Sequence, residues 1–466
     1  MKVRLSQSRS LAAFLILTAA AAVLWALSHY AAVPIPAGVL RASRWLALAG
    51  FCGYALARRS LTTWIFAGML IGVEIGYDWP NFATNLQVLS GIFLRLIRTI
   101  VAPLIFGTLV VGIAGHSNLK QVGRMGIKAI LYFEVVTTLA LFIGLAAINI
   151  SQAGVGVKPD RQAIAKPVAT EPQKASDIVL HVFPENIAKA VTENQVLQVV
   201  VFSIIFAIAL ALVSQEKRQP MLAFCESLSE VMFKFTNIVM LFAPFAVAGA
   251  MAYTIGTMGL DVLKHLLALL ATLYVALIVF LVCVFLPVAL LARLPLKRFV
   301  RAVAEPVSIA FATASSEAAL PRAMESMEAF GVPRQIVAFV LPTGYSFNLD
   351  GSTLYLSLAS IFVAQAAGIH LSLGQQIVMM VTLMLTSKGV AGVPRAMLVI
   401  LSGTVDSFQL PAWPVMVILG IDQLMDMART ATNVLGNCLA TAVIARWEGE
   451  LGTETPSPAA LEALRH

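Results

Sequence analysis

Apolar residues run through this chain in blocks, separated by short polar or basic breaks. A helix of about 20 apolar residues spans the hydrocarbon core of a bilayer. Such blocks fall at Leu11–Leu27, Leu61–Tyr77, Leu89–Ala114, Ile127–Ile150, Val196–Val213, Val231–Tyr253 and Leu266–Leu291, with a shorter one at Trp45–Ala57. Residues 151–195 are the one long polar insertion, and Pro159, Pro167, Pro172 and mixed charges there predict an extracytoplasmic loop with partial disorder. Over residues 1–60 the pattern predicts an accessory two-helix hairpin. Two spans put Arg58 and Arg59 on the cytoplasmic side, together with Lys2, Arg4 and Arg9. A cleaved signal peptide is the alternative, but its apolar region would be shorter, and no clear small-residue cleavage site follows.

Beyond Arg301 the pattern changes. Residues 302–330 are long enough to span, yet their middle reads Thr313-Ala314-Ser315-Ser316-Glu317-Ala318-Ala319-Leu320-Pro321. Small, polar and helix-breaking residues at that depth predict a re-entrant hairpin. Residues 334–366 follow as a span, and residues 374–405 repeat the interruption around Thr386-Ser387-Lys388-Gly389-Val390-Ala391-Gly392-Val393-Pro394-Arg395. Residues 411–445 are the last span. Hairpin then helix, twice over, is the trace of an inverted-repeat transporter. The expected division is a hydrophobic extension at 1–60, mainly scaffold and trimerisation helices at 61–295, a transport core at 296–448 and a cytoplasmic tail at 449–466. The fold class is therefore all-α and membrane-integral, with about eight core transmembrane helices and two re-entrant hairpins.

The span at 334–366 carries Pro342-Thr343-Gly344-Tyr345-Ser346-Phe347-Asn348-Leu349-Asp350-Gly351-Ser352 at its centre. A carboxylate and a carboxamide at membrane depth are expensive, and broken backbone survives there only where protein or a water-filled cavity satisfies it. Carbonyl, carboxylate and hydroxyl oxygens are the ligands of hard cations. The stretch predicts a discontinuous helix that binds a coupling cation beside a substrate. A kinked helix whose polar groups only glue neighbouring helices together would need less than an Asn-x-Asp-Gly centre.

The last span carries Asp422, Asp426, Arg429, Thr430, Asn433 and Asn437. At roughly 100° per residue they fall within an arc of about 100°. Asp and Arg at the centre of a membrane helix cost about 2.5–3.5 kcal/mol each, so this stripe is expected to face a cavity. The forked guanidinium of Arg429 suits a carboxylate. An internal Asp426–Arg429 pair that merely neutralises both is the competing reading.

Composition narrows the classes. Of 466 residues 59% are hydrophobic and only 12% charged, too apolar for a soluble chain of this length. The net charge of +8 does not point to nucleic acid, because the basic residues sit in short loops between spans. No GxxxxGK[ST] loop is present, so energy must come from an ion gradient or a separate subunit. Cys52, Cys225, Cys283 and Cys438 are widely spaced and read as small core hydrophobes, and the six histidines form no ligand pair at helical spacing. An ion channel and a membrane enzyme are weaker alternatives; no nucleophile–base pair stands at readable spacing.

At these residues the chain resembles the dicarboxylate/amino acid:cation symporters, the glutamate transporter family, over about residues 61 to 450. Ser315-Ser316-Glu317 with Leu320-Pro321, Asn348–Ser352, Gly389–Pro394 and Asp422–Asn437 carry the likeness. Pro342–Tyr355 and Asp426–Thr430 look most like the bacterial proton–glutamate symporters. The resemblance implies a plasma-membrane homotrimer that imports glutamate or aspartate, its transport domain sliding through a fixed scaffold. The alternative is a C4-dicarboxylate importer, against which Asp426 speaks. By resemblance, Arg429 binds the substrate's side-chain carboxylate and Asp426 its amino group. Thr430, Asn433, Ser315, Ser316, Val393 and Pro394 complete the substrate site. Asn348, Asp350, Thr137 and Thr138 match a sodium site. Gly344, Ser346, Asn433, Asn437 and Asp422 complete the cation-coupling set. No cofactor is implied beyond H+ and/or Na+ as coupling ion.

Three departures from the family pattern bear on coupling. Asn437 stands where sodium-coupled members usually have an Asp, which favours protons, with Asp350, Asp422, Glu134 and Glu317 as candidate carriers. Leu356 stands where eukaryotic members have a proton-carrying glutamate. Ala314 replaces a hairpin arginine of archaeal members, and Arg395 is expected either to stand in for it near Asp426 or Glu317 or to point into the aqueous vestibule.

Overall fold

The computed structural model describes residues 2–30, 33–114, 121–157, 183–192, 196–387 and 396–452. The described residues are helical, with no strand among them. Four of their helices are long and apolar enough to cross a membrane, or five if Gln215–Met240 and Ala243–Met258 are taken as one broken span. The chain divides into two compact units, Met1–Phe93 with Leu241–Val262, and Leu94–Met240 with Leu263–His466.

In the first unit, α1 (Lys2–Tyr30) packs on α2 (Ala37–Arg58), with Phe14 and Phe51 in ring contact at 4.8 Å. α2 is tied to α3 (Leu61–Asp78) by a charged fork. Arg44 donates from Nε to Glu74 at 2.7 Å and from Nη2 to Asp78 at 2.8 Å, while the Trp45 indole donates to the other Asp78 oxygen at 2.8 Å. The basic residues before the second apolar block are thereby neutralised within the fold. The opposite packing of α3 depends on Gly68, Gly72 and Gly76, one per turn. A Cβ on any of them would strike the backbone of the helix Ala243–Met258, at Pro244, Ala248 and Ala252. Small residues at this spacing let two membrane helices approach to backbone contact.

The second unit holds α4 (Gln87–Ala114, from Leu94 onward), α5 (Gln121–Ser151), α6 (Val196–Leu212) and α7 (Gln215–Met240). Val110, Ala114, Ala207, Leu210, Leu222 and Cys225 form a core where α4, α6 and α7 meet. The single span expected at Val231–Tyr253 is instead two helices. α7 ends at Met240 and α8 (Ala243–Met258) begins with Pro244 in its first turn. Proline has no N–H to continue a helix and a φ suited to starting one. α9 (Val262–Phe280) runs on through Leu291.

The later part contains a hairpin, α10 (Leu296–Thr313) and α11 (Ser316–Phe330), packed on itself and on the final helix. α12 (Arg334–Phe347) and α13 (Asp350–Ala366) follow, then α14 (Leu373–Thr386), α15 (Ala396–Ser407), α16 (Trp413–Leu419) and α17 (Asp422–Glu448). α5 and α13 run parallel in close contact. A Cβ on Gly144 would lie 2.5 Å from the Leu354 carbonyl oxygen, and one on Gly154 would lie 2.7 Å from that of Phe362.

Much of the 151–195 insertion lies outside the described residues, but Ile187–Thr192 within it is a short helix. Cys225 and Cys438 are buried as expected. Cys283 is not a core residue: it is exposed.

Candidate functional site

The expected break in the span is present. α12 ends at Phe347, Asn348 and Leu349 leave helical geometry, and α13 begins at Asp350. Asn and Asp side chains compete with the backbone for hydrogen bonds, and a carboxylate is favoured at a helix N-terminus. The freed backbone is satisfied from α17. Asn433 Oδ1 accepts the N–H groups of Gly351 at 2.8 Å and Ser352 at 3.2 Å, and its Nδ2 donates to Ser352 Oγ at 2.8 Å. Those are the donors that a helix start leaves without intrahelical partners. Gly351 permits the crossing, since its Cβ would lie 2.5 Å from the Arg429 carbonyl oxygen and 2.9 Å from Arg429 Cα.

Arg429 is the largest fully buried side chain among the described residues, 1% exposed. Its Nε donates to Asp426 Oδ1 at 2.9 Å and its Nη1 to Asp422 Oδ1 at 3.1 Å. Its guanidinium lies over the Tyr355 ring, 4.2 Å from the centroid. The Tyr355 hydroxyl donates to the same Asp422 oxygen at 3.1 Å, and Thr430 donates to Asp426 Oδ1 at 3.2 Å. Arg429 Nη2 is buried and has no hydrogen-bond partner. The guanidinium is thus held on two edges and one face, with one donor nitrogen left to bind. The internal Asp426–Arg429 pair does form, but the cluster goes beyond neutralising one charge with another.

A second network surrounds the break. Asn348 Nδ2 donates to Asp350 Oδ2 at 3.1 Å and to Asn437 Oδ1 at 3.2 Å, and all three residues are almost completely buried. Gly344 makes room, because a Cβ there would collide with Asn437 Oδ1. Asn348 Oδ1 and Asn437 Nδ2 have no hydrogen-bond partner. The register of α5 against α12 and α13 places Thr137 level with the break. Phe133 reaches the Gly344 position from one turn before it, at 3.5 Å, and Gly144 meets Leu354 two turns after it. Thr137 is buried, with its hydroxyl donating to the Phe133 carbonyl at 2.6 Å; Thr138 turns to Met384 Sδ of α14 at 3.4 Å.

The remaining expected residues make local contacts or lie outside the described residues. Ser315 is the N-cap of α11, and its hydroxyl accepts the Ala318 N–H at 3.3 Å, so it serves its own helix; Ser316 is the first residue of that helix. Ala314, the residue at the hairpin tip, takes a left-handed φ of 51°. Glu317 is exposed at the surface of its helix, whereas Asp350 and Asp422 are fully buried and Glu134 is half-buried. Val393, Pro394 and Arg395 lie outside the described residues, as does the side chain of Ser346. Among the described residues no three of His, Cys, Asp and Glu form a metal set. The second network offers two amide oxygens and a carboxylate, all hard oxygen donors.

Sequence reasoning missed Tyr355 and Ser352 as parts of these networks. The signal was legible in outline, since a tyrosine hydroxyl in an otherwise apolar run needs a buried partner. Which partner was not legible, because Asp422 lies on another helix.

A family model, sodium:dicarboxylate symporter family, matches residues 61–447. The chain is 42% identical over 399 residues to a proton/sodium-glutamate symport protein of Bacillus subtilis (strain 168), covering 84% of this chain and 93% of the relative. It is 41% identical over 396 residues to a proton/glutamate-aspartate symporter of Escherichia coli (strain K12), covering 82% and 90%. A C4-dicarboxylate transport protein of Laribacter hongkongensis (strain HLHK9) is 40% identical over 403 residues, covering 85% and 91%. With its apolar spans and this match across nearly all of the chain after residue 60, the chain belongs to the sodium:dicarboxylate symporter family, as a multi-pass plasma-membrane transporter and not an enzyme.

Proposed function

We propose that the protein imports acidic amino acids, glutamate or aspartate, by symport with protons and/or sodium. The observation that carries this is Arg429, buried and held by Asp422, Asp426 and Tyr355, with Nη2 unpartnered. An acidic amino acid brings two carboxylates and an ammonium into a site sealed from water. Each must meet a partner, since an uncompensated buried charge costs several kcal/mol. Arg429 receives the side-chain carboxylate and Asp426, one turn away, receives the ammonium. Binding exchanges the Arg429–Asp426 pair for two pairs with the substrate, so neither charge is left bare. Thr430 and Asn433 lie on the same face of that helix, and Ser315, Ser316, Val393 and Pro394 are the further substrate-binding residues of this reading. The helix N-terminus at Ser316 offers backbone N–H groups that suit the α-carboxylate.

The coupling cation binds at the break, with Asn348, Asp350, Thr137 and Thr138, and with Gly344, Ser346, Asn433, Asn437 and Asp422 completing the set. Asn437 brings no charge there, which favours protons over sodium. The transport core of residues 296–448, its hairpins re-entrant, moves against a scaffold in a homotrimer. A C4-dicarboxylate is the second reading, supported by relatives with that name; it would set a second substrate carboxylate against Asp426.

The test is competition of unlabelled aspartate, glutamate, serine and succinate against labelled aspartate uptake in proteoliposomes. Arg429→Cys is expected to weaken glutamate and aspartate by about 2–5 kcal/mol, more than tenfold, and to narrow the preference over serine. Asp426→Ser is expected to weaken amino acids and spare succinate. If Arg429→Cys still prefers aspartate to serine by the wild-type margin, the assignment fails.

A further inference from the structure

α9 keeps one buried face through Val262, Leu266, Leu269, Leu273, Ala276 and Phe280, spaced by three and four as an α-helix requires. Leu281–Phe285 then form a π-turn, and helix resumes over Leu286–Leu291. A π-turn fits one extra residue into the helix, and such bulges collect at functional sites. Beyond Phe280 the buried positions are Val284, Phe285 and Ala289, while Cys283, which regular spacing would also admit, is exposed. The bulge therefore steps the buried face forward and delivers Phe285 to it. The rings of Phe280 and Phe285 meet edge to face, 4.7 Å between centroids.

Phe285 reaches α17 beside the break. At Gly436, the position a Cβ would occupy lies 2.7 Å from Phe285 Cζ, and the same atom would collide with Asp350 Oδ2. Ring tip and carboxylate oxygen thus share one notch, open only because residue 436 has no side chain. That oxygen also accepts the Asn348 hydrogen bond. An aromatic edge carries partial positive charge and excludes water, so it suits the flank of a carboxylate whose place must be held.

We propose that Phe285, set by the π-turn, is a positioning residue for the coupling-cation site. Its ring fills the Gly436 notch and keeps Asp350 turned toward Asn348. The inference rests on the reading of Asp350 as part of that site. Phe285 is not among the substrate-binding residues of that reading, so its loss is expected to act through the cation, not through recognition of the amino acid.

The experiment measures labelled-aspartate uptake into proteoliposomes for wild type, Phe285→Ala, Phe285→Val, Phe285→Leu and Asp350→Asn. Sodium and pH are varied separately to obtain the half-saturating concentration of the driving cation and the maximal rate. Misplacing a reacting group by an ångström costs up to about a hundredfold, and a partly collapsed notch is expected to cost about tenfold in half-saturating cation for Phe285→Ala. Phe285→Leu is expected to return within about threefold of wild type, with Phe285→Val between, while maximal rates at saturating cation change little. Should the alanine variant fail to reach the membrane, the order of valine and leucine against wild type carries the test. An unchanged half-saturating concentration, with only the rate or the melting temperature lowered, overturns the inference. If Asp350→Asn itself keeps the wild-type cation dependence, the coupling-site reading fails and the inference with it. If Asp350→Asn abolishes that dependence while the Phe285 variants leave it alone, only the inference fails.

Discussion

Tyr355 separates two contributions at the level of single side chains. Its ring supports the Arg429 guanidinium and its hydroxyl supports Asp422. Tyr355→Phe keeps the ring and removes one hydrogen bond to a charged group, worth about 1.5–3 kcal/mol. A lower melting temperature with unchanged substrate preference is expected. Tyr355→Ala also removes a desolvated cation–π contact of about 2 kcal/mol, so the aspartate concentration for half-maximal uptake should rise by more than tenfold. Equal effects of the two variants on that concentration would show that the ring does not hold the guanidinium. Charged residues at these positions are stabilised by being interlocked, and removing one partner of such a set costs about 3–5 kcal/mol.

Helix pairs are the next scale, and glycines set how closely they approach. Gly351 lets α13 cross α17 at the Arg429 backbone, and Gly344 lets α12 lie against Asn437. Gly351→Ala would force a methyl into that crossing at a typical overpacking cost of about 1–3 kcal/mol. The expected result is a lower melting temperature together with weaker aspartate binding, because the shift displaces Arg429 itself. Stability lost with affinity intact would place the strain elsewhere. The same logic holds for Gly68, Gly72 and Gly76 in the first unit, where only stability is expected to change, since no site residue lies at that contact.

At the scale of the whole molecule, the family match begins at residue 61, yet the preceding residues are fixed to the chain that follows. Arg44 forks Glu74 and Asp78, and the Asp78 side chain is 2% exposed. Arg41 also reaches Asp78, its Nε 3.3 Å from Oδ1, so Asp78→Asn leaves both arginines short of a counter-charge and should cost about 1–3 kcal/mol. Limited proteolysis within residues 31–36 should become faster, and transport by intact protein should be retained. A variant as resistant as wild type would mean that the apolar contact of α1 and α2 alone holds the extension. Coupling is also decided at this scale. Uptake driven at full rate by a sodium gradient without a pH gradient, and abolished by sodium removal, would overturn the preference for protons drawn from Asn437.

What the sequence determined by itself is whatever depends on local period and on the cost of polarity in hydrocarbon. Long apolar blocks require helices, Asn-x-Asp-Gly at mid-span requires a break, and six polar residues on one arc require a buried partner surface. These constraints act within one segment, so spacing along the chain is enough to expose them. Tertiary structure decided which groups meet. Asp422 faces Tyr355, Asn433 caps α13, and the π-turn carries Phe285 to the notch at Gly436. Exposure was decided there too, leaving Glu317 and Cys283 outside the core that their neighbours occupy. Side chains tens of residues apart become neighbours only when helices cross, and the crossings depend on small residues and bulges whose consequence exists only once both helices are in place.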